Sequence, residues 1–237
     1  MSGSILTAHG MTRRYGGFVA VDDVSIDVRQ GEIRGLIGPN GAGKSTLMDL
    51  ICGRGGGESK GAVTLNGRRI DRLDARLRRK AGLGRSFQRT NIFPDLTVKE
   101  QITLAARATA ATNVEEILQE LRLGPLVDRC GGDISYGDQR RVDIALALIG
   151  RPPVVLLDEP AAGLSIQESI DLSRLLKDLT KRWGVTVLIV EHDMDVIFSI
   201  CDHITVLHLG RLLTEGTATE IQSDAEVVRA YLGSAAA

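Results

Sequence analysis

A chain of 237 residues is long enough for one substantial α/β domain, or for a core carrying an inserted subdomain. Its 43% apolar and 25% charged residues are those of an ordinary soluble protein, and a net charge of −1 excludes a global positive field that would draw it to nucleic acid or to an acidic membrane surface. Cys52, Cys130 and Cys201 are odd in number, widely spaced and form no C-x-x-C pair, which argues against a disulfide framework and against a zinc site. The opening MSGSILTAHGMTRRYGG reaches Arg13 and Arg14 without an apolar core of signal-peptide length. No stretch approaches the ~18 apolar residues of a membrane helix. The expectation is a protein soluble by itself in a reducing compartment, with any membrane role borrowed from a partner.

In chain order, ILTAHGMT and VSIDV read as short β segments, followed by the apolar run IRGLIG (33–38). GPNGAGKST (38–46) and TLMDLIC come next, a Gly-rich loop leading into a helix. Beyond the turn GRGGGESKG (53–61), AVTLNG and GRSFQ are again short and β-like, and together with the first two they predict a small antiparallel sheet. Between Arg68 and Arg85, eight bases outnumber Asp71 and Asp74. Such a run reads first as a solvated face, with a contact to lipid headgroups or a protein as the alternative. Leu96 to Arg129 is helical in composition and carries no strand signal, so it reads as a helical insertion. VVLLD (154–158), VTVLIVE (185–191) and ITVLHLG (204–210) join IRGLIG as buried parallel strands, since strands covered on both faces are continuously apolar. Val142, Ala145, Leu146 and Ile149 share one helix face, as do Leu172, Leu175, Leu176 and Leu179. Strands alternating with such helices predict a mostly parallel sheet covered on both sides.

GPNGAGKST fits G-x-x-x-x-G-K-[ST] between a strand and a helix, the context in which that motif cradles phosphates. Gly38, Gly41 and Gly43 allow backbone N–H groups to turn inward, with Pro39, Asn40 and Ala42 completing the loop, and the helix N-terminus adds partial positive charge. Lys44 supplies a full charge to the β- and γ-phosphates of ATP, Ser45 offers a hydroxyl to Mg²⁺, and Thr46 can bond another phosphate oxygen. VVLLDE ends an apolar strand in two acids. Asp158 at that buried end requires compensation, which a hydrated Mg²⁺ would give. Glu159 is the candidate general base, or the group that orients the attacking water.

Three further segments carry a resemblance. ISYGDQRRVDIALAL (134–148), ahead of VVLLDEP, is similar to the signature of ABC ATPases; Gln88 in GRSFQ resembles their Q-loop and His192 in VLIVEHDM their switch histidine. The resemblance runs from about residue 5 to residue 232 and implies a P-loop α/β fold of the ABC ATPase type. The N-terminal antiparallel β subdomain belongs to that fold, with residues 1–91 and 152–237 as nucleotide-binding core and 92–151 as a helical insertion ending in the signature helix. It further implies that Tyr15 stacks on adenine, that Gln88 senses Mg²⁺ and the attacking water, and that His192 bonds the γ-phosphate beside Glu159. Ser135 and Gly137 would bind the γ-phosphate held by the opposite subunit. One cradle and one signature per chain then require two chains, head to tail, around two ATP molecules.

The chain departs from the family's pattern at Tyr136, where a Gly is usual, at Asp138, where Gln is usual, and at Ser165, where many members have Asp. GRSFQRTNIFPDLTVKEQI, DEPAAGLS and EGTATEIQ…VVRAYLG resemble the ATPase subunits of branched-chain amino-acid importers and their relatives for urea and other amides or acids. Polytopic membrane permease subunits and, indirectly, an extracytoplasmic solute-binding protein are the implied partners, at the cytoplasmic face of the inner membrane. Nucleic acid is not an implied partner. A soluble ABC ATPase without a membrane partner is the competing reading. Arg89, Asn91, Ile92 and Phe93 are the candidates for docking a membrane subunit, with Phe93 as a core residue of the insertion the alternative.

Overall fold

A computed structural model describes residues 3–88 and 90–233. Strands β1 (Ser4–Tyr15) and β2 (Phe18–Arg29) form a long hairpin, to which β4 (Glu58–Leu65) and the short β5 (Arg68–Arg69) add antiparallel in the order β2-β1-β4-β5. The second sheet has the order β10-β9-β3-β8-β7-β6, from β3 (Ile33–Ile37), β6 (Leu83–Arg85), β7 (Val154–Asp158), β8 (Thr186–Val190), β9 (His203–His208) and β10 (Arg211–Gly216). Its pairs are parallel except the β9–β10 hairpin. Helices α1 (Lys44–Cys52), α2 (Ala75–Lys80), α3 (Val98–Thr109), α4 (Val114–Glu120), α5 (Tyr136–Leu148), α6 (Ile166–Trp183), α7 (Met194–Ile200), α8 (Ala218–Ser223) and α9 (Ala225–Gly233) complete the chain.

The apolar runs are continuous because alternate residues serve two cores. Val155, Leu157, Val187, Ile189, Ile204 and Val206 face the side covered by α3 to α7. Val154, Leu156, Leu188, Val190 and Leu207 face α1 and the antiparallel sheet. Helix starts follow local chemistry. Thr97 with Glu100 and Ser165 with Glu168 form capping boxes at α3 and α6. The Ser165 that departs from the family's Asp is therefore the N-cap of α6.

GRSFQ does not join the antiparallel sheet. Leu83–Arg85 pairs parallel with β7 at the edge of the main sheet. A three-residue strand has no readable period, and its neighbour in space, β7, lies about 70 residues downstream. The basic run also divides. Arg78 is buried, and its guanidinium donates to the carbonyls of Leu50 and Ile51 at the end of α1 (2.8 and 2.6 Å) and to those of Leu73 and Asp71. Arg79 donates to Leu146 and Ile149 at the end of α5. Only Arg68, Arg69, Arg72, Arg76 and Lys80 form an exposed face.

Arg78→Ala strands several buried carbonyls and should cost about 3 kcal/mol of unfolding free energy. Arg76→Ala on the exposed face should stay within about 0.5 kcal/mol. Urea unfolding of both variants checks the contrast.

Candidate functional site

Strands β3, β8, β7 and β6 are consecutive neighbours and parallel, so the segments leaving their carboxyl ends lie side by side. Those segments are the loop 38–43, Glu191–His192, Asp158–Glu159 and Ser86–Gln88. The sheet order thereby brings together residues that are up to about 150 positions apart in the chain.

The loop after β3 is shaped by contacts that exclude side chains. Gly43 has φ +99, and a β-carbon there would lie 2.7 Å from the Ala20 carbonyl oxygen of β2. At Gly38, φ +152, it would run into the Leu207 carbonyl of β9. α1 then begins at Lys44 with no side-chain cap and no acid in its first turn, which leaves its amide end to an anion. Asn40, Gly41 and Ser45 are exposed along the rim, Pro39 and Thr46 half-buried. Lys44 lies across the loop, its Nζ donating to the carbonyls of Gly38 (2.6 Å) and Pro39 (3.0 Å). Burial lowers its pKa, against the opposing pull of Glu159 and Asp158.

The two acids differ. Glu159 stands at φ +49, a left-handed conformation uncommon for a side chain of this type. Its Oε1 lies 2.8 Å from His192 Nε2, and its Oε2 accepts a hydrogen bond from Gln88 Nε2 at 2.9 Å. Asp158 is buried, and burial raises its pKa although Arg85 opposes the shift. Arg85 donates to Asp49 (2.6 Å) and reaches Asp158 Oδ2 (3.4 Å), while Asp158 Oδ1 is buried with no hydrogen-bond partner. An unpartnered carboxylate oxygen at a strand end, close enough to Lys44 to act on its charge, suits a hard cation. Among the described residues no group of three or more His, Cys, Asp or Glu is placed to hold a metal ion.

Tyr15 is half exposed at the tip of the β1–β2 hairpin and packs against Gly57. The tip carries a second exposed aromatic, Phe18, paired with it in register. Ser135 and Gly137 stand at the start of α5 with local partners. Ser135 caps α5, donating its hydroxyl to Asp138 Oδ2 at 2.8 Å, and Gly137 packs against Glu168. Asp138 pairs with Arg141, so its charge is compensated within the helix. Phe93 is 61% exposed, which favours the docking alternative over a core position, while Ile92 packs partly into the core. Arg89 lies outside the described residues.

Sequence reasoning passed over four residues at this site. Arg85 was hidden in the basic run. Glu191 ends an apolar strand just as Asp158 does, and that was the available signal. Its carboxylate accepts from Ala161 N–H (2.6 Å) and His192 N–H (3.2 Å), joining the turn after Glu159 to the end of β8. Arg140 is buried and donates to the carbonyls of Phe87 and Gln88. Tyr231, on α9, reaches the start of the phosphate loop: burial pushes its phenol up to about 12, opposed by a hydrogen bond with the Gly38 backbone.

A parallel sheet with a glycine-shaped anion loop, a lysine and a carboxylate at the next strand ends defines a P-loop nucleotide-binding ATPase. The family model described as ABC transporter matches residues 21–162, and one described as branched-chain amino acid ATP-binding cassette transporter matches residues 211–237. The chain belongs to the ATP-binding subunits of ABC transporters, in which ATP hydrolysis is coupled to transport. It is 35% identical to the high-affinity branched-chain amino acid transport ATP-binding protein BraF of Pseudomonas aeruginosa, over 99% of this chain and 100% of that protein. That alignment runs over 256 positions against 237 residues, so the relative carries stretches this chain lacks. The lipopolysaccharide export system ATP-binding protein LptB of Haemophilus influenzae is 34% identical over 97% of this chain and 98% of its own. A nucleotide-free ATP-binding cassette from an ABC transporter superposes with a TM-score of 0.88 at 29% identity, covering 96% of this chain and 98% of that one. A cassette solved as a dimer bound to ADP and Pi gives 0.79 at 26%, covering 90% and 98%. Membership implies dimerisation and association with membrane permease components. Among the described residues no helix is long and apolar enough to cross a membrane.

Burial pushes Glu191 from 4.5 up to about 7. Below pH 4.5 folded and unfolded chains are both protonated there. Between 4.5 and about 7 the unfolded chain releases a proton that the folded chain keeps, so stability contributed by this group falls as pH rises, by up to about 3 kcal/mol. Glu191→Gln should flatten that decline in urea unfolding measured between pH 5 and 7.5. An unchanged slope would reject the assignment.

Proposed function

We propose that this chain is the ATP-hydrolysing subunit of an importer for branched-chain amino acids or related small polar solutes, held peripherally at the cytoplasmic face of the inner membrane. The observation that carries the catalytic part is the Glu159 carboxylate, held between Gln88 and His192 at the mouth of the phosphate loop. The match of residues 211–237 to the branched-chain cassette model supports the substrate class.

ATP would seat its phosphates on the amides of residues 38–46, with Lys44 moving from the Gly38 and Pro39 carbonyls to the β- and γ-phosphates. Tyr15 would cover the adenine. Ser45, Asp158 and the amide oxygen of Gln88 would hold Mg²⁺, which supplies charge neutralisation at the phosphates when bound. Glu159 would accept a proton from water as the water oxygen bonds the γ-phosphorus and the bridge to the β-phosphate breaks, releasing ADP and phosphate. His192 would keep Glu159 oriented and bond a γ-phosphate oxygen. Ser135 and Gly137, at the start of α5, would serve the ATP of a second ATPase chain, identical or different. Residues 92–151, with exposed Phe93, would receive a polytopic permease subunit, and a solute-binding protein would select the cargo outside. The exporting relative makes partner identity the deciding observation.

Purification of the tagged chain from native membranes in mild detergent should recover polytopic subunits. Recovery with soluble partners alone would overturn the transport reading, and recovery with an outer-envelope export assembly would overturn import. Glu159→Gln should lower kcat of the complex by about 10²–10⁴ while ATP binding persists and closed dimers accumulate. Lys44→Ala should instead weaken nucleotide binding itself, seen in equilibrium titration. Because Arg141 neutralises Asp138, Asp138→Gln should leave ATPase activity within about twofold of wild type.

A further inference from the structure

Ser86, Phe87, Gln88 and Asn91, between β6 and α3, are held from two directions. On the sheet side, Ser86 N–H donates to the Leu156 carbonyl of β7 at 2.9 Å, and the ring of Phe87 is approached by the guanidinium groups of Arg54 (4.4 Å to the centroid) and Arg85 (4.9 Å). On the helical side, Arg140 of α5 is 1% exposed and donates to the carbonyls of Phe87 and Gln88, each at 2.8 Å. One turn further along α5, Asp143 is 3% exposed, and its Oδ1 accepts the Asn91 N–H at 3.2 Å. Gln88 is thus gripped at its backbone by the signature helix and at its side chain by Glu159.

Arg140 has a third attachment. It donates to the Tyr136 hydroxyl at 3.3 Å and lies over that ring, and the ring rests against Gly163 in the turn that follows Glu159. The two Nη atoms of this buried guanidinium donate to the carbonyls of Phe87 and Gln88 and to a phenol, while Nε has no hydrogen-bond partner, so if α5 shifts, those carbonyls must follow or two hydrogen bonds are lost in a dry site.

We propose that Arg140, with Asp143 holding the Asn91 amide one turn further along α5, is a positioning residue that carries displacement of the signature helix into Gln88 and so into the alignment of Glu159. It rests on the reading of Gln88 and Glu159 given above. The hydrogen bonds of Arg140 go to Phe87, Gln88 and Tyr136, outside residues 38–46, so the effect belongs to turnover and not to ATP capture.

The test is a double-mutant cycle on the complex purified through the tagged chain, with rates normalised to folded protein. Arg140→Met keeps the bulk and removes the donors, and should lower kcat at least tenfold with KM for ATP within twofold of wild type. Arg140→Lys, which can reach one carbonyl, should recover part of the loss, and it replaces Met in the cycle if the Met variant does not fold. In a Gln88→Ala background, Arg140→Met should add less than a further twofold loss. Losses that multiply would show that Arg140 acts without Gln88 and overturn the inference alone. A Gln88→Ala complex with wild-type kcat would overturn the reading of the site, and this inference with it.

Discussion

The rest of the site depends on how Glu159 is held. Its backbone occupies a left-handed conformation, and its carboxylate is bracketed by a glutamine and a histidine from two other strand ends. Such a conformation costs of order 1 kcal/mol or more and persists only where surroundings over-determine it. Here the surroundings are the parallel sheet itself. The Glu159 amide donates to the Val190 carbonyl of β8, so the residue that turns away from the sheet remains tied to the neighbouring strand. Three loops converge on one carboxylate because three adjacent strands end together.

Charge is buried around that point in a graded way. Lys44, Asp158, Glu191 and Arg140 are all nearly inaccessible, yet none is compensated by a simple ion pair of its own. Lys44 rests on carbonyls, Glu191 on amides, and Arg140 on carbonyls and a phenol. Asp158 shares Arg85 with Asp49 and keeps one oxygen unpartnered. Backbone dipoles therefore do the work that opposite charges do at exposed sites. A triphosphate entering this environment meets partners whose charge has not been spent on one another, and the low local dielectric strengthens each new contact.

Much of this was legible in the residues. The loop 38–46 and the strand-terminal acids are contiguous motifs whose chemistry follows from local geometry, and the four apolar runs announced a sheet covered on both faces. What escaped depended on distance in the chain. β6 is three residues long, so only its partner β7 gives it meaning. Arg78 and Arg79 read as surface because nothing local shows that two helix C-termini end beside them. Arg140 and Asp143 lie on α5 with Ile144 and Ala147, a second inward stripe beside the apolar one at Val142 and Ala145. A helix buried on most of its circumference hides polar members of its core in plain composition.

The acid at Asp138 shows how a departure from the usual pattern can be absorbed. A helix N-terminus favours one anion, and α5 supplies its own: the carboxylate accepts the Ser135 hydroxyl and is held by Arg141 one turn on. In the isolated chain the signature helix is therefore already satisfied. For Ser135 to bond a phosphate presented by another subunit, as proposed above, its hydroxyl must leave Asp138, and the carboxylate then still retains Arg141. The exchange replaces one charge-assisted hydrogen bond with another of similar strength, so the affinity of closure is set by what the phosphate gains elsewhere. With Arg141 on the carboxylate before and after such an exchange, the acid would be close to neutral between the open and closed arrangements.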